Sequence, residues 1–273
     1  MIQLVDLHTH SSMSDGQYRP SELVHLAKEH GIEVLALTDH DTLSGLEEAI
    51  TAGKALGIRV LSGVELSARE YPTFHILGYG FSPDAPQLLA MCEDMRQRRN
   101  ARTERLLSFL REKGISLCAE EVAAAAGGDV IGRPHFARVM LEHGFISSYR
   151  DAFNLYLDTD EYHQKVEQNK PSVRQCLETI KAAGGKTSLA HPYQIGIDDD
   201  ALDAQVRNLI EYGLDAIECY YPKHTAEQTA FYLHLADKYG LHITGGSDFH
   251  GERVKPEIQL SALEMEIGWL LEK

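Results

Sequence analysis

Histidine and carboxylate side chains recur along this 273-residue chain at spacings that suit metal ligation. The chain holds 14 histidines, against about 6 expected from average usage. Imidazole suits zinc, iron and manganese, and a carboxylate can bridge two cations. Several cations together can stabilise the attacking and leaving oxygens of a displacement at phosphorus. The candidate metal ligands are His8, His10, Asp15, His40, Glu65, His75, His191, Asp248 and His250.

Most of these candidates come at or just after the end of a predicted strand. His8 and His10 follow a strand at 2–7 and, two residues apart on extended backbone, direct both rings to one face. His75 is the exception, because it lies early in a strand predicted at 74–79. It would still reach the site if the segment before it bends inward.

The elements that must position these side chains alternate between strand and helix. Strands are predicted at 2–7, 32–37, 58–62, 74–79, 186–190, 215–219 and 241–245. Helices are predicted between them at 20–30, 43–56, 172–183, 201–212 and 225–239. This alternation indicates parallel βα units. Seven strands predict an α/β fold, a (β/α) barrel one unit short of eight, whose functional groups gather at the carboxyl ends of the strands.

Residues 82–171 show no clear strand pattern. They are predicted to form helices at 86–113, 119–126, 135–142 and 149–157. The contrast in element type predicts an inserted helical subdomain at 82–171 and a barrel domain made of 1–81 and 172–273. The alternative is that this segment is the long outer part of the barrel.

Composition limits the possible partners. Aspartate and glutamate number 41 and lysine and arginine 26, which gives a net charge of −15. This charge disfavours duplex nucleic acid and anionic membranes, but not a small anion held by metals. No apolar run approaches the roughly 20 residues of a membrane span, and no signal-peptide pattern opens the chain. We expect reduced thiols and a cytoplasmic location, since no CxxC pair occurs among Cys92, Cys118, Cys176 and Cys219.

Six motifs together resemble those of the PHP (polymerase and histidinol phosphatase) family. They are Asp6-Leu-His-Thr-His10, Ser14-Asp-Gly16, Thr38-Asp-His-Asp-Thr42, Gly63-Val-Glu65, Ala190-His-Pro192 and Gly246-Ser-Asp-Phe-His250. The segment 131–138, Ile-Gly-Arg-Pro-His-Phe-Ala-Arg, is similar to the TrpH-type branch, whose members act on 3′,5′-bisphosphates, short RNA or cyclic phosphates. The resemblance implies a distorted seven-stranded barrel with a trinuclear metal site.

The same resemblance implies how the ligands divide among the cations, which would be manganese, iron or zinc. One cation would be held by His8, His10, Glu65 and Asp248. Glu65 would bridge to a second, held with His75 and His191. The third would be held by Asp15, His40 and His250. The chain departs from the branch at 158–171, where an acidic segment replaces a glycine-rich basic one, so no nucleotide preference is carried over.

Several groups are candidates for phosphate binding. Arg133 and His135 stand at a predicted helix start, where the helix amino end and an arginine fork both favour anions. The alternative is an ion pair and a helix cap. Arg19 follows Asp15 in the loop after the first strand, and Lys223 and His224 follow the sixth strand. Each of these three residues either contacts a second phosphate or lies on the protein surface.

Other polar and aromatic residues have two interpretations each. Arg99 and Arg102 fall on an apolar helix stripe and are either structurally paired or aimed at substrate. Asp39 and Asp41 flank His40 and are predicted to be partners or caps rather than ligands. Aromatic rings that would fit a nucleobase are Tyr18, Tyr193, Tyr220 and Tyr221.

These observations predict a phosphoric ester hydrolase that attacks phosphorus in line with metal-bound hydroxide. The substrate would be a small phosphorylated metabolite or nucleotide, such as a 3′,5′-bisphosphonucleoside, with release of inorganic phosphate. One alternative is a phosphodiesterase acting on a cyclic sugar phosphate, such as 5-phosphoribosyl 1,2-cyclic phosphate, or on short single-stranded oligonucleotides. Another is a non-catalytic metal-binding module. The proton donor is not identified; the candidates are His135, His224 and Asp248.

Overall fold

The computed structural model describes residues 2–126, 131–166 and 170–271. The chain divides into two compact units. We call Met1–Cys92 with Pro171–Lys273 the barrel unit and Glu93–Lys170 the helical unit. The boundaries at 82 and 171, and the description of the segment between them as an insertion, stay predictions.

The barrel unit is built on one mixed sheet of eight strands. In chain order these are β1 (Ile2–Thr9), β2 (Val34–Leu37), β3 (Arg59–Ser67), β4 (His75–Tyr79), β5 (Lys186–Leu189), β6 (Ala216–Tyr220), β7 (His242–Gly245) and β8 (Leu263–Glu266). Their order in the sheet is β7-β6-β5-β4-β3-β2-β1-β8. Thr9 also pairs with Phe249 just beyond β7, so the sheet curls into a nearly closed barrel.

Two strands run against their neighbours, which corrects the predicted count and direction. The α/β barrel is confirmed, but β4 is antiparallel to β3 and β5, and the unpredicted β8 is antiparallel to β1. Only residues 68–74 separate β3 from β4, and a parallel crossover needs a dozen or more. In β8 only Met265 is buried, so its sequence carries no clear apolar pattern.

Eleven α-helices are described. In chain order they are α1 (Pro20–Glu29), α2 (Leu46–Leu56), α3 (Pro86–Glu112), α4 (Ala119–Ala126), α5 (Arg133–Glu142), α6 (Tyr149–Ala152), α7 (Asp160–Lys165), α8 (Val173–Ala182), α9 (Asp199–Glu211), α10 (Ala226–Tyr239) and α11 (Gly268–Leu271). Local sequence explains their ends: Ser172 and Gln175 form a capping box before α8, and Gly57 ends α2 with a φ of 67°. Helices therefore follow β1, β2, β5 and β6 in the manner of βα units.

The helical unit has a core of its own. Buried side chains of α3 to α7 pack together, including Phe109, Phe136, Met140 and Tyr162. The single helix predicted at 149–157 is instead α6 followed by a π-helical turn, Phe153–Leu157. Helix α7 was not predicted, because its six residues are mostly polar.

Two global expectations can be compared with the described residues. Among them, no helix combines the length and apolar character needed to cross a bilayer. All four cysteines are free thiols, and only Cys118 is exposed. The cytoplasmic location inferred from them stays a prediction.

Candidate metal centre

Strands β1 and β7 bring four of the candidate ligands together. His8 and His10 are buried, and their ring centroids lie 5.2 Å apart. The segment after β7 is tied to them by backbone hydrogen bonds, because Asp248 N–H donates to His8 O at 2.8 Å and His10 N–H donates to Phe249 O at 2.9 Å. Asp248 Oδ1 lies 3.3 Å from His10 Nε2 and from His250 Nδ1.

The direction of β4 explains how His75 joins the rim. His75 is the first residue of β4 and pairs with Ser67, the last residue of β3. Its carbonyl accepts from Ala190 N–H at 3.2 Å, directly before His191. An antiparallel β4 therefore begins where β3 and β5 end. His75 reaches the rim because of strand direction, without the inward bend expected from the sequence.

Glu65 lies at the centre of the cluster. It is fully buried and lies inside β3, two residues before the strand end, rather than after it as predicted. Its Oε1 lies 2.8 Å from His75 Nδ1 and 2.8 Å from His191 Nε2. Its Oε2 lies 3.1–3.2 Å from a ring nitrogen of each of three more histidines, His8, His10 and His40. One carboxylate thus contacts five imidazoles.

Ligand-type atoms form three overlapping groups. Within each group the atoms lie within 4.8 Å of one another. The groups are His8, His10, Glu65 and Asp248; His10, Asp15, His40 and His250; and His40, Glu65 and His75. His191 joins through its contact with Glu65. All nine candidates therefore meet at one rim of the barrel unit, in three sets that share members.

The hydrogen bonding of these residues fits a bound cation. Buried nitrogen and oxygen atoms without a hydrogen-bond partner in the described part of the chain include His8 Nε2, both ring nitrogens of His10, Asp15 Oδ1, His40 Nδ1, Glu65 Oε2 and His191 Nδ1. Each such atom costs about 1–3 kcal/mol if nothing satisfies it. Cations placed among them would satisfy several at once, and the mixed nitrogen and oxygen donor set suits manganese, iron or zinc.

The charges of the cluster support the same conclusion. Burial disfavours protonated His10, but Asp248 and Glu65 outweigh it and raise its pKa to about 9. Burial also opposes the ionised form of Glu65, but His40 and His75 hold its pKa well below the usual range. The carboxylates therefore demand nearby positive charge. A divalent cation can supply that charge in place of protons.

Buried aspartates brace the backbone that carries the ligands. Asp39 accepts from Ser11 N–H at 2.7 Å and from the hydroxyls of Ser11 and Ser14 at 2.6 Å. Asp41 accepts from Ser67 N–H at 2.9 Å. Asp6, which the sequence did not single out, accepts from Ser247 N–H at 2.9 Å. Asp39 and Asp41 thus make the supporting contacts expected of them.

Three further contacts were missed by sequence reasoning. Asp248 Oδ2 accepts from Tyr221 Oη at 2.9 Å and from Lys255 Nζ at 2.7 Å, which leaves Oδ1 facing the histidines. Glu218 is fully buried in β6 and accepts from His8 Nδ1 at 3.0 Å. An acidic residue within an otherwise apolar strand was the available signal for Glu218. Nothing local marks Lys255.

The rim contains the described non-glycine residues with positive φ. They are Asp41 at 54°, His191 at 24° and Asp248 at 56°. Backbone strain of this kind is often found at functional sites, where the surrounding contacts maintain it. Gly246 is needed for a different reason, because a Cβ there would lie 2.4 Å from the Cβ of His8. The strand ends are therefore packed at a separation that only glycine permits.

The predicted phosphate contacts in the barrel unit have protein partners. Arg19 has a side chain 66% exposed and pairs with Glu48 at 3.2 Å. His224 Nδ1 lies 3.0 Å from the carbonyl of Cys219, and Lys223 Nζ lies 2.9 Å from Glu257. These hydrogen bonds and ion pairs involve no candidate metal ligand, although His224 interacts electrostatically with His191 and Lys223 with Asp248.

The predicted phosphate contacts of the helical unit also have partners there. Arg133 Nη1 donates to Asp158 Oδ1 at 2.7 Å and lies over the ring of Tyr162. His135 Nδ1 accepts from Gly132 N–H at 2.9 Å. Arg102 donates to the carbonyl of Ile131. The ion pair and helix cap that were the alternatives for Arg133 and His135 are thus present, and the side chain of Arg99 lies outside the described residues.

The four tyrosines differ in their contacts within the protein and in their exposure. Tyr18 Oη donates to Glu252 at 2.7 Å, and buried Tyr221 is tied to Asp248. Tyr193 packs beside Tyr221 with ring centroids 5.6 Å apart. Tyr220 is 39% exposed. Of the four, Tyr220 has the most accessible ring.

Comparison with known proteins identifies the family. The PHP domain profile matches residues 6–218. The chain belongs to the PHP family. The match contains the motifs at the ends of β1, β2, β3 and β5, so the predicted resemblance is confirmed.

Three relatives are each about one third identical to this chain. A 5′-3′ exoribonuclease of Haemophilus influenzae is 34% identical over 92% of this chain and 91% of its own length. A phosphoribosyl 1,2-cyclic phosphate 1,2-diphosphodiesterase of Eggerthella lenta is 33% identical over 90% and 94%. A 3′,5′-nucleoside bisphosphate phosphatase of Chromobacterium violaceum is 33% identical over 90% and 87%.

A solved structure extends the similarity to the fold. A proposed metal-dependent phosphoesterase from Bifidobacterium adolescentis superposes with a TM-score of 0.81 at 28% identity, over 98% of this chain and 94% of its own. The predicted enzyme class, a metal-dependent phosphoric ester hydrolase, is confirmed by these relatives. The cluster at the rim is able to bind metal.

Proposed function

We propose that this PHP protein hydrolyses a small phosphorylated metabolite or nucleotide, such as a 3′,5′-bisphosphonucleoside, and releases inorganic phosphate. One observation carries the proposal: nine imidazole and carboxylate groups meet at one rim, with Glu65 in contact with five histidines. Such a cluster suits a phosphate ester, because two negative charges must be neutralised before a nucleophile can approach.

Two or three divalent cations, manganese, iron or zinc, would occupy the cluster. His8, His10, Glu65 and Asp248 would hold one. Glu65 would also serve a second, together with His75 and His191. Asp15, His40 and His250 would hold a third. The first distance-based group has the same members as the first set. The other two add His10 to the third set and place His40, rather than His191, with Glu65 and His75.

Bound cations supply a coordinated water of lowered pKa and stabilise negative charge that develops at phosphorus. The protein supplies orientation. Tyr221 and Lys255 fix Asp248 by one oxygen, and Asp39 fixes the loop between His10 and Asp15. Arg19, Arg133, His135 and His224 stay candidates for holding the rest of the substrate.

The three candidate proton donors differ in suitability. Burial opposes ionisation of Asp248, but His250 and Lys255 hold its pKa well below its usual range, so it carries no proton at neutral pH. Burial lowers the pKa of His224, and its Nδ1–H is engaged with the carbonyl of Cys219. Its Nε2 is then an acceptor. His135 stays a candidate proton donor on its sequence motif, with its Nδ1 accepting from Gly132 N–H.

A second function is favoured by the relatives. The cyclic phosphate diphosphodiesterase and the exoribonuclease are as similar to this chain as the bisphosphate phosphatase is. A phosphodiesterase acting on a cyclic sugar phosphate or a short oligonucleotide would use the same cations. It differs only in what the rest of the site accepts.

The deciding experiment measures products after loading with Mn²⁺, Fe²⁺ or Zn²⁺. The substrates are a 3′,5′-bisphosphonucleoside, 5-phosphoribosyl 1,2-cyclic phosphate and a dinucleotide. Phosphate release from the bisphosphate alone supports the proposal. Turnover of the cyclic ester or the dinucleotide alone supports the diesterase instead. No turnover of any ester by the loaded protein would identify a non-catalytic metal-binding module.

His40→Ala tests the link between metal and activity. His40 offers ligand atoms to two of the three groups, so we expect metal content and turnover to fall together while circular dichroism stays unchanged. His25→Ala removes an exposed histidine from α1 and is the matched control. Full metal content with lost activity in His40→Ala would contradict its role as a ligand.

A further inference from the structure

Strand β6 differs from its neighbours at the metal rim. The ends of β1, β2, β3, β5 and β7 and the start of β4 carry the nine candidate ligands, and β6 carries none. In their place β6 has Glu218, whose side chain is fully buried. A buried carboxylate is costly unless its surroundings use it. We therefore expect the carboxylate of Glu218 to make contacts that offset the cost of its burial.

We propose that Glu218 is a positioning residue that makes His8 present Nε2 to the cations and anchors the backbone of His191. The inference rests on the metal centre of the proposed function, but not on turnover. Glu218 lies in the sheet between the strands that precede His191 and Asp248. It thus acts on two ligand sets from a strand that belongs to neither.

The contact with His8 determines which ring nitrogen bears the proton. Glu218 Oε1 lies 3.0 Å from His8 Nδ1. A carboxylate only accepts hydrogen bonds, so Nδ1 carries a hydrogen, and Nε2 is the nitrogen left to bind a cation beside Glu65. His8 Nε2 is a buried atom without a hydrogen-bond partner, 3.2 Å from Glu65 Oε2. This is the arrangement in which a carboxylate orients a metal-binding histidine.

The contact with His191 stabilises a strained backbone. Glu218 Oε2 accepts from His191 N–H at 2.6 Å. His191 has a φ of 24°, which a non-glycine residue adopts only when its surroundings enforce it. This conformation keeps His191 Nε2 2.8 Å from Glu65 Oε1. One side chain therefore supports ligands on both sides of Glu65.

Substitution with glutamine separates this role from mere filling of space. Glutamine has the same shape but offers one acceptor and one N–H₂ group. The backbone N–H of His191 can only donate, so the amide oxygen must face it and the N–H₂ must face His8. His8 Nδ1 then has to accept. The proton moves to Nε2, the nitrogen that should bind the cation.

The experiment titrates metal-free Glu218→Gln with Zn²⁺ and records ¹⁵N spectra of the zinc-loaded histidines. We expect at least one zinc to bind 10–100-fold more weakly than in wild type, and the His8 Nδ1–H signal to be lost. Wild-type zinc affinity together with an unchanged Nδ1–H signal would overturn the proposal. Wild-type protein that binds zinc but hydrolyses no ester would overturn only the proposed function.

Asp215→Asn is the matched control. Asp215 lies just before β6, away from the rim, and binds Lys181 Nζ at 2.8 Å and Thr187 N–H at 2.9 Å. We expect it to lower thermal stability and leave zinc affinity unchanged. If Glu218→Gln does not fold, the wild-type spectrum decides: a zinc-loaded His8 that is protonated at Nε2 refutes the proposal.

Discussion

The rim of the barrel unit and the helical unit differ in where their charged side chains lie. At the barrel rim Glu65 is fully buried among histidines, and Asp248 is only 3% exposed. In the helical unit the ion pairs lie at the surface: the side chains of Arg98 and Asp94 are 44% and 52% exposed. The rim therefore buries its charged side chains, whereas the helical unit exposes those of its ion pairs.

Desolvation explains the contrast. An exposed pair contributes little to stability because water and salt screen it. A buried charge is expensive, and a protein gains little stability by keeping one. The rim contains many buried charged groups, and each of them contacts a candidate ligand or the loop that carries one. The comparison teaches that burial of charge, rather than the number of charges, marks the functional region of this molecule.

The largest effect is expected where the rim is packed most closely. In Gly246→Ala the new Cβ would lie 2.4 Å from His8 Cβ and 2.5 Å from His8 N, and backbone cannot yield as a flexible side chain can. We expect a loss of about 3 kcal/mol or more in the free energy of unfolding, because the clash involves backbone, together with loss of zinc binding. Chemical denaturation and zinc titration measure the two.

A glycine of the helical unit is the comparison for that variant. At Gly132 the nearest atom to an added Cβ is 3.4 Å away, and the backbone is extended with a φ of −112°. We expect Gly132→Ala to change unfolding little and zinc binding not at all. Equal effects of the two variants would remove the distinction between the units.

A smaller effect is expected at a buried brace. Asp39→Ala leaves the two donors of Ser11 and the hydroxyl of Ser14 without their acceptor, so we expect a loss of about 2–3 kcal/mol. Zinc affinity should fall as well, because the loop between His10 and Asp15 loosens. Asp39→Asn keeps an acceptor for Ser11 N–H and should retain most of both properties. An Ala variant that binds zinc normally would show that the brace serves the fold alone.

The smallest effect is expected at the surface of the helical unit. Lys165 pairs with Glu161 at 3.0 Å and with Glu112 at 3.1 Å. Because these groups are exposed, we expect Lys165→Ala to leave the unfolding midpoint and the zinc affinity unchanged within error. A clear drop in stability would mean that surface charge also matters in this unit.

Much of the fold could be predicted because periodicity is local. The alternation of helices and strands predicted the α/β barrel, and most element ends fell within a few residues of those observed. The direction of β4 follows from the shortness of segment 68–74. That segment is defined only by the structure, because β3 extends to Ser67, beyond the strand predicted at 58–62. Strand β8 and the π-helical turn depend on packing partners distant in sequence, so local pattern did not reveal them.

The sequence by itself determined which residue types were present in unusual number and that they follow apolar segments. That sufficed to predict the nine candidate ligands, and the motifs around them carried the resemblance to the family. Only the tertiary structure decided that an antiparallel β4 brings His75 to the rim and that Glu65 contacts five rings. It also decided that Glu218, 210 positions from His8, lies 3.0 Å from its Nδ1. The physical reason is that the ability to bind a metal belongs to a single residue. A charge network depends on distances between residues, and these distances exist only when the whole barrel has folded.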